Sequence, residues 1–151
     1  MTQAALGDPA FGRIVSGKSA QVFGDPDLPH SFTYVPDIAR ALMSVADADD
    51  AMGQAWNVPN APDRTVREIL TLFAEKADRP LKVQAMPKWM MSLVALINSD
   101  VRELKEMLYQ WEQPFHVDAS KFSDRFWSDP TSFEDGLTAT VADHVMPNEA
   151  G

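Results

Sequence analysis

Apolar positions along this chain change their spacing several times, and prolines mark many of the changes. Residues 9–16 place Phe11, Ile14 and Val15 on one side of a short amphipathic turn or helix. Gly17 suits its stop, because glycine enters the left-handed conformation without strain. Ala20 to Phe23 reads as a strand and Gly24-Asp25-Pro26-Asp27 as a turn. His30 to Val35, rich in aromatic and β-branched residues, reads as extended. Pro36 then opens a helix with Ile38, Leu42 and Val45 on its inner face. Asp47, Asp49 and Asp50 end that helix, and Gln54 to Val58 reads as a second strand.

Thr65-Val66-Arg67-Glu68 has the spacing of a capping box, in which hydroxyl and carboxylate each satisfy the other residue's backbone N–H. Val66, Ile69, Leu70 and Phe73 form the stripe that follows, and Asp78-Arg79-Pro80 stops it. Leu81 to Ala85 reads as a third strand. A helix from Pro87 presents Trp89, Met90, Leu93, Val94 and Ile97. Another, capped by Asp100 and Glu103, runs to about Trp111 with Val101, Leu104 and Leu108 inward. Phe115 to Val117 is read as extended. A last helix from Thr131 or Ser132 carries Phe133, Leu137 and Val141. Helices and short strands therefore alternate, the pattern of an α/β or α+β layered fold. The expected organisation is a single domain over residues 1–145, with a frayed tail at 146–151.

Composition narrows the function classes. The chain has 151 residues, 45% hydrophobic and 23% charged, as in ordinary globular proteins. Its net charge of −9 makes it a poor platform for nucleic-acid backbones or anionic membranes. It has no cysteine, so disulfides, thiolate metal sites and cysteine nucleophiles are excluded. No stretch approaches the roughly 20 apolar residues of a membrane span. The N-terminus has neither the basic cluster nor the apolar core of a secretory signal, so a cytoplasmic location is expected.

Motif chemistry is mostly a record of absences. The seven glycines form no G-x-G-x-x-G, no phosphate loop and no G-x-S-x-G elbow. Tyr34 and Tyr109 lack the lysine four residues on that would lower a tyrosine pKa; Ile38 and Gln113 stand there instead. The acidic run at Asp47 to Asp50 is read as a solvated helix end, since Ala51 and Met52 break a calcium-loop pattern. Lys121 and Arg125, one turn apart, form either an anion clamp or, as the reading favours, a solvated helix edge. The Met- and Trp-rich stretch from Met86 to Trp111 suits a core, or the adaptable wall of a ligand site.

Taken in order, several segments resemble one family. His30-Ser31-Phe32-Thr33-Tyr34-Val35-Pro36-Asp37-Ile38-Ala39-Arg40-Ala41 is similar to the R-D-F-x-Y-V-D-D-x-A-x-A signature of NAD-dependent epimerases/dehydratases, the extended short-chain dehydrogenase/reductases (SDRs). Gly53 to Pro59 looks like that family's G-x-x-Y/W-N-V strand, and Thr65 to Phe73 like its T-x-x-E-L helix. Leu81 to Pro87 and Lys121 to Leu137 resemble the later blocks. The resemblance spans about residues 10 to 142. It implies the C-terminal, substrate-binding portion of an extended SDR, without the Rossmann glycine motif or the Tyr-x-x-x-Lys helix.

On that resemblance the chain itself carries no catalytic, cofactor-binding or metal residue. NAD(P) is implied only for the full-length family, and the chain alone is expected to be inactive in redox chemistry. His30, Tyr34, Trp89, Tyr109 and Trp111 are expected to line the substrate side. His30 stands where the signature has arginine, and a neutral imidazole is a poorer diphosphate clamp. A less charged carbonyl or alcohol therefore suits the site better than a nucleotide sugar. Asp37 is expected to anchor the helix start. Partners would be a small-molecule substrate, a missing N-terminal Rossmann portion, or further copies of the chain through an exposed apolar face. The remaining alternatives are a non-catalytic self-associating module and a small hydrolase or lyase using His116, Asp118 and Lys121.

Overall fold

The computed structural model describes residues 7–22, 24–85 and 113–145. The expected helices between Pro87 and Trp111, with Trp89, Tyr109 and Trp111, lie outside the described residues, as does the tail at 146–151. The fold is mixed α/β, with longer helices and very short strands.

A π-type turn, Gly7–Gly12, runs into α1 (Arg13–Val15). Gly17, at φ +70°, reverses the chain; its N–H bonds the Ile14 carbonyl while the Lys18 N–H bonds that of Arg13. This pair of bonds is a Schellman closure, and it feeds β1 (Ala20–Val22). β1 pairs in parallel with β4 (Val83–Ala85), Ala20 opposite Val83. β2 (Pro29–His30) pairs antiparallel with β3 (Arg64–Thr65), His30 opposite Arg64. Phe115 adds a single parallel bridge to His30.

Three helices of useful length pack around these strands: α2 (Val35–Ala46), α3 (Val66–Lys76) and α5 (Phe133–Val145). The short α4 (Ser120–Arg125) precedes α5. α3 begins as its sequence requires: the Thr65 hydroxyl accepts the Glu68 N–H at 3.1 Å, and the Glu68 carboxylate accepts the Thr65 N–H at 2.8 Å. Val66, Ile69, Leu70 and Phe73 are all buried, as the stripe predicts. They meet Phe11, Ile14, Ala20, Val22, Phe32 and Leu137 in one core. Phe11 stacks on Phe73 with ring centroids 4.3 Å apart.

α2 differs from its predicted facing. Asp37 and Ala41 are its buried residues, whereas Leu42 is 66% exposed. The buried Asp37 carboxylate accepts the Thr131 N–H at 2.8 Å and the Thr131 hydroxyl at 2.9 Å. That polar tie turns the helix so that Leu42 and Met43 face outward. Gln54–Val58 is not a strand either. No described segment forms a ladder with it, and its side chains are claimed elsewhere. Trp56 packs edge-on to Phe122 and Phe126 beneath α4, and Asn57 donates to the Asp118 carbonyl.

Candidate functional site

An apolar cleft lies between the start of α2 and one face of α5, with a volume of about 140 Å³. Phe11, Phe32 and Leu137 form its floor, and Tyr34 and Phe133 its walls. Tyr34 is positioned by being the residue before α2, in extended conformation at φ −70°, ψ 132°. Its ring lies over Gly136 so closely that a Cβ on Gly136 would come within 3.3 Å of it. This explains a glycine inside α5, where it costs about 1 kcal/mol of helix propensity relative to alanine.

Most polar groups at the mouth are already engaged. Thr131 serves Asp37, the Ser132 hydroxyl donates to Asp135 at 2.7 Å, and the Thr140 hydroxyl donates to the Gly136 carbonyl at 2.8 Å. The Tyr34 phenol and the Asp143 carboxylate have no hydrogen-bond partner among the described residues. The cleft thus offers an apolar slot, one neutral hydroxyl and one negative charge. A cavity of about 150 Å³ accepts a benzene-sized body.

His30 is elsewhere. It is buried in β2, and its Nδ1 lies 3.0 Å from the Leu28 carbonyl oxygen, which only accepts, so Nδ1 carries the proton. Its ring is 6.2 Å from that of Phe32. His30 is not among the residues lining the cleft, so of the five expected substrate-side residues the described structure sets Tyr34 in it and His30 beside the core.

Asp37 also differs from expectation. It sits in the first turn of α2, but its carboxylate engages Thr131 rather than the free N–H groups of its own helix. This tie holds the segment that forms one edge of the cleft.

A second, open groove contains His116 and Asp118. His116 pairs through Nδ1 with Asp63 at 2.9 Å. Asp63 also accepts the Ser31 hydroxyl at 2.6 Å, and Ser31 in turn accepts the Val117 N–H. The order is serine, carboxylate, histidine. With the carboxylate in the middle, the imidazole does not touch the hydroxyl, so the trio is a strap rather than a Ser-His-Asp nucleophile relay. Burial alone would raise the Asp63 carboxyl, but the Ser31 hydroxyl and His116 ring outweigh it and hold it below its ordinary range.

Lys121 does not join this groove. Its Nζ bonds the Ala55 carbonyl at 3.0 Å and lies 4.2 Å from the Trp56 ring centre. Arg125 forks onto Asp50 at 3.0 and 3.2 Å. Lys121 and Arg125 are therefore spent separately and make no anion clamp. Among the described residues no group of three His, Cys, Asp or Glu side chains is placed to hold a metal ion. Nor is any described helix long and apolar enough to cross a membrane.

A dinucleotide needs open N–H groups at a helix start and a glycine-lined approach. The three longer described helices begin instead with Asp37, with Glu68, and with Glu134 and Asp135. Glu68 already fills the start of α3, and its own carboxyl is held low by the Thr65 N–H and hydroxyl. The described residues do not fit a pyrophosphate.

No protein-family model and no curated protein matches the chain. Solved structures do. UDP-glucuronic acid 4-epimerase from Bacillus cereus in complex with NAD matches at TM-score 0.66 and 19% identity, over 95% of this chain and 38% of that one. The same enzyme in complex with UDP-glucuronic acid and NAD matches at 0.70 and 17%, over 95% and 40%. RMD from Pseudomonas aeruginosa complexed with NADPH matches at 0.60 and 18%, over 89% and 38%. At such identities the likeness is one of fold. The chain spans about two-fifths of the length of these solved chains.

Proposed function

We propose that this chain is the C-terminal, substrate-side portion of an NAD(P)-dependent epimerase/dehydratase-type enzyme, and that alone it performs no redox reaction. The observation that carries this reading is the fold match itself. Nearly the whole chain corresponds to a minor part of nucleotide-dependent enzymes. The sequence supports it by lacking both the glycine motif and Tyr-x-x-x-Lys. NAD(P) would then be held and used by residues outside this chain.

The ligand this portion contacts is a small, weakly charged carbonyl or alcohol, bound against Tyr34. Trp89, Tyr109 and Trp111, outside the described residues, are proposed as substrate-side residues on the resemblance alone. The described cleft is small beside a nucleotide sugar, Asp143 in its lining disfavours phosphate, and His30 spends Nδ1 on a backbone carbonyl. Titrating the chain with cyclohexanone should move the amide and side-chain NMR signals of Tyr34 and Gly136 saturably, and UDP-glucuronic acid should not. The reverse pattern would overturn this substrate assignment.

A second reading, self-association, is favoured by one observation. Leu42, Met43 and Met52 are 66%, 69% and 67% exposed, and Gln54–Val58 runs nearby without a ladder. Exposed apolar surface of this kind promotes association. A thermal midpoint that rises with protein concentration, and ceases to do so in Leu42→Glu/Met43→Glu, would support it. A midpoint independent of concentration would dismiss it.

A further inference from the structure

We infer that the corner where α1 and α3 end is a binding site for a phosphate group. The described part of this acidic chain sorts its cations unevenly. Arg40, Arg64, Arg67 and Arg125 each pair with a carboxylate. Arg13, Lys18 and Arg79 have no carboxylate within ion-pair distance among the described residues; Arg13 and Lys18 line one concavity, and Arg79, outside that lining, reaches the end of α1 at Val15.

Two helix endings do this. α1 closes through Gly17 and places Lys18 immediately after the left-handed residue. α3 closes the same way through Asp78, at φ +50°. The Arg79 N–H bonds the Ala74 carbonyl, and Arg79 is the residue immediately after. Arg79 Nε then reaches the Val15 carbonyl at 3.3 Å, joining the two ends, while Arg13 Nε donates to the Ser19 carbonyl at 2.6 Å.

The concavity beside them has a volume of about 410 Å³ and is lined by Arg13, Ser16, Lys18 and His144, with Gly12 and Val15. Arg13 fixes its position through Nε, and Arg79 through Nε and an Nη1 bond to the Asp78 carbonyl at 3.4 Å, which leaves further N–H donors on each. The Ser16 hydroxyl donates to the Gly12 carbonyl, and its oxygen can still accept from a protonated phosphate. The last carbonyls of both helices are partly occupied by the Schellman bonds, which blunts their repulsion of an anion. Asp8, Glu75, Asp78 and Asp143 are the nearby carboxylates in sequence; none is among the described lining residues. A guanidinium fixed through Nε, a neighbouring ammonium and a concave surface with no carboxylate among its described lining residues are what a doubly charged phosphate requires.

This site is separate from the Tyr34 cleft and does not depend on the proposed oxidoreductase role. Titration of the 151-residue chain with inorganic phosphate, followed by amide NMR at low ionic strength, should move the Gly17, Lys18 and Arg79 signals saturably. Lys18→Glu should weaken binding by roughly tenfold or more, and Lys18→Arg should retain it. The Lys18 side chain makes no described hydrogen bond, so neither change should lower the thermal midpoint appreciably. A nucleoside monophosphate binding more tightly than inorganic phosphate would identify a phosphomonoester as the ligand; equal affinity would identify the free ion. Absence of saturation with either, or an unchanged affinity in Lys18→Glu, would overturn the inference.

Discussion

Asp37 does more for the architecture than its place in a surface-type helix suggests. It is 5% exposed, and both carboxylate oxygens are committed to Thr131. Removing it leaves the Thr131 N–H and hydroxyl without their acceptor in a half-buried setting. Asp37→Ala should therefore cost about 2–3 kcal/mol of unfolding free energy by urea titration, and Asp37→Asn clearly less; equal and small losses would show the tie to be incidental. Asp63 makes a complementary, pH-sensitive contact. Its carboxyl is held below its ordinary range in the folded chain, so folding favours the ionised form. That contribution is complete above the unfolded carboxylate pKa and fades as pH falls through it and below. The stability gap between the wild type and Asp63→Asn should be widest near neutrality and should close in acid. Urea midpoints at the two pH extremes check this; a gap that widens in acid would contradict it. None of these pairings was legible in sequence, because Ser31, Asp37, Asp63, His116 and Thr131 lie 32 to 94 positions from the partners they meet.

Local signals fared better at the level of elements. The capping box at Thr65 and Glu68, the buried stripe of α3 and the reversal at Gly17 all form as their sequences imply, since each depends on residues a few positions apart. Thr65→Ala should lower stability by about 1 kcal/mol, read as a shift in the urea midpoint; no shift would mean that α3 is held by packing alone. Elements that need a distant partner are less legible in the sequence. Gln54–Val58 has the composition of a strand, but a strand exists only through its neighbour. On α2, hydrophobic spacing ranks Leu42 above Asp37, and of the stripe it predicts Ile38 and Val45 are half-buried while Leu42 is exposed. The hydrogen bonds to Thr131 reverse that order. Of the expected site, Tyr34 lines an apolar cleft through its place at the head of α2.

At the scale of the molecule, three features agree. The core closes around α3, α5 and β1; the outer face of α2 carries exposed apolar side chains; and the fold matches about two-fifths of much longer enzymes. The proposed division of labour explains why the sequence lacks dinucleotide motifs and why acidic side chains occupy the described helix starts. Calorimetric titration of the isolated chain with NAD(H) and NADP(H) tests that division most directly. The account predicts no heat of binding in the micromolar range for any of these dinucleotides. Stoichiometric micromolar binding of one of them would contradict it, because the chain would then hold a coenzyme with its own residues.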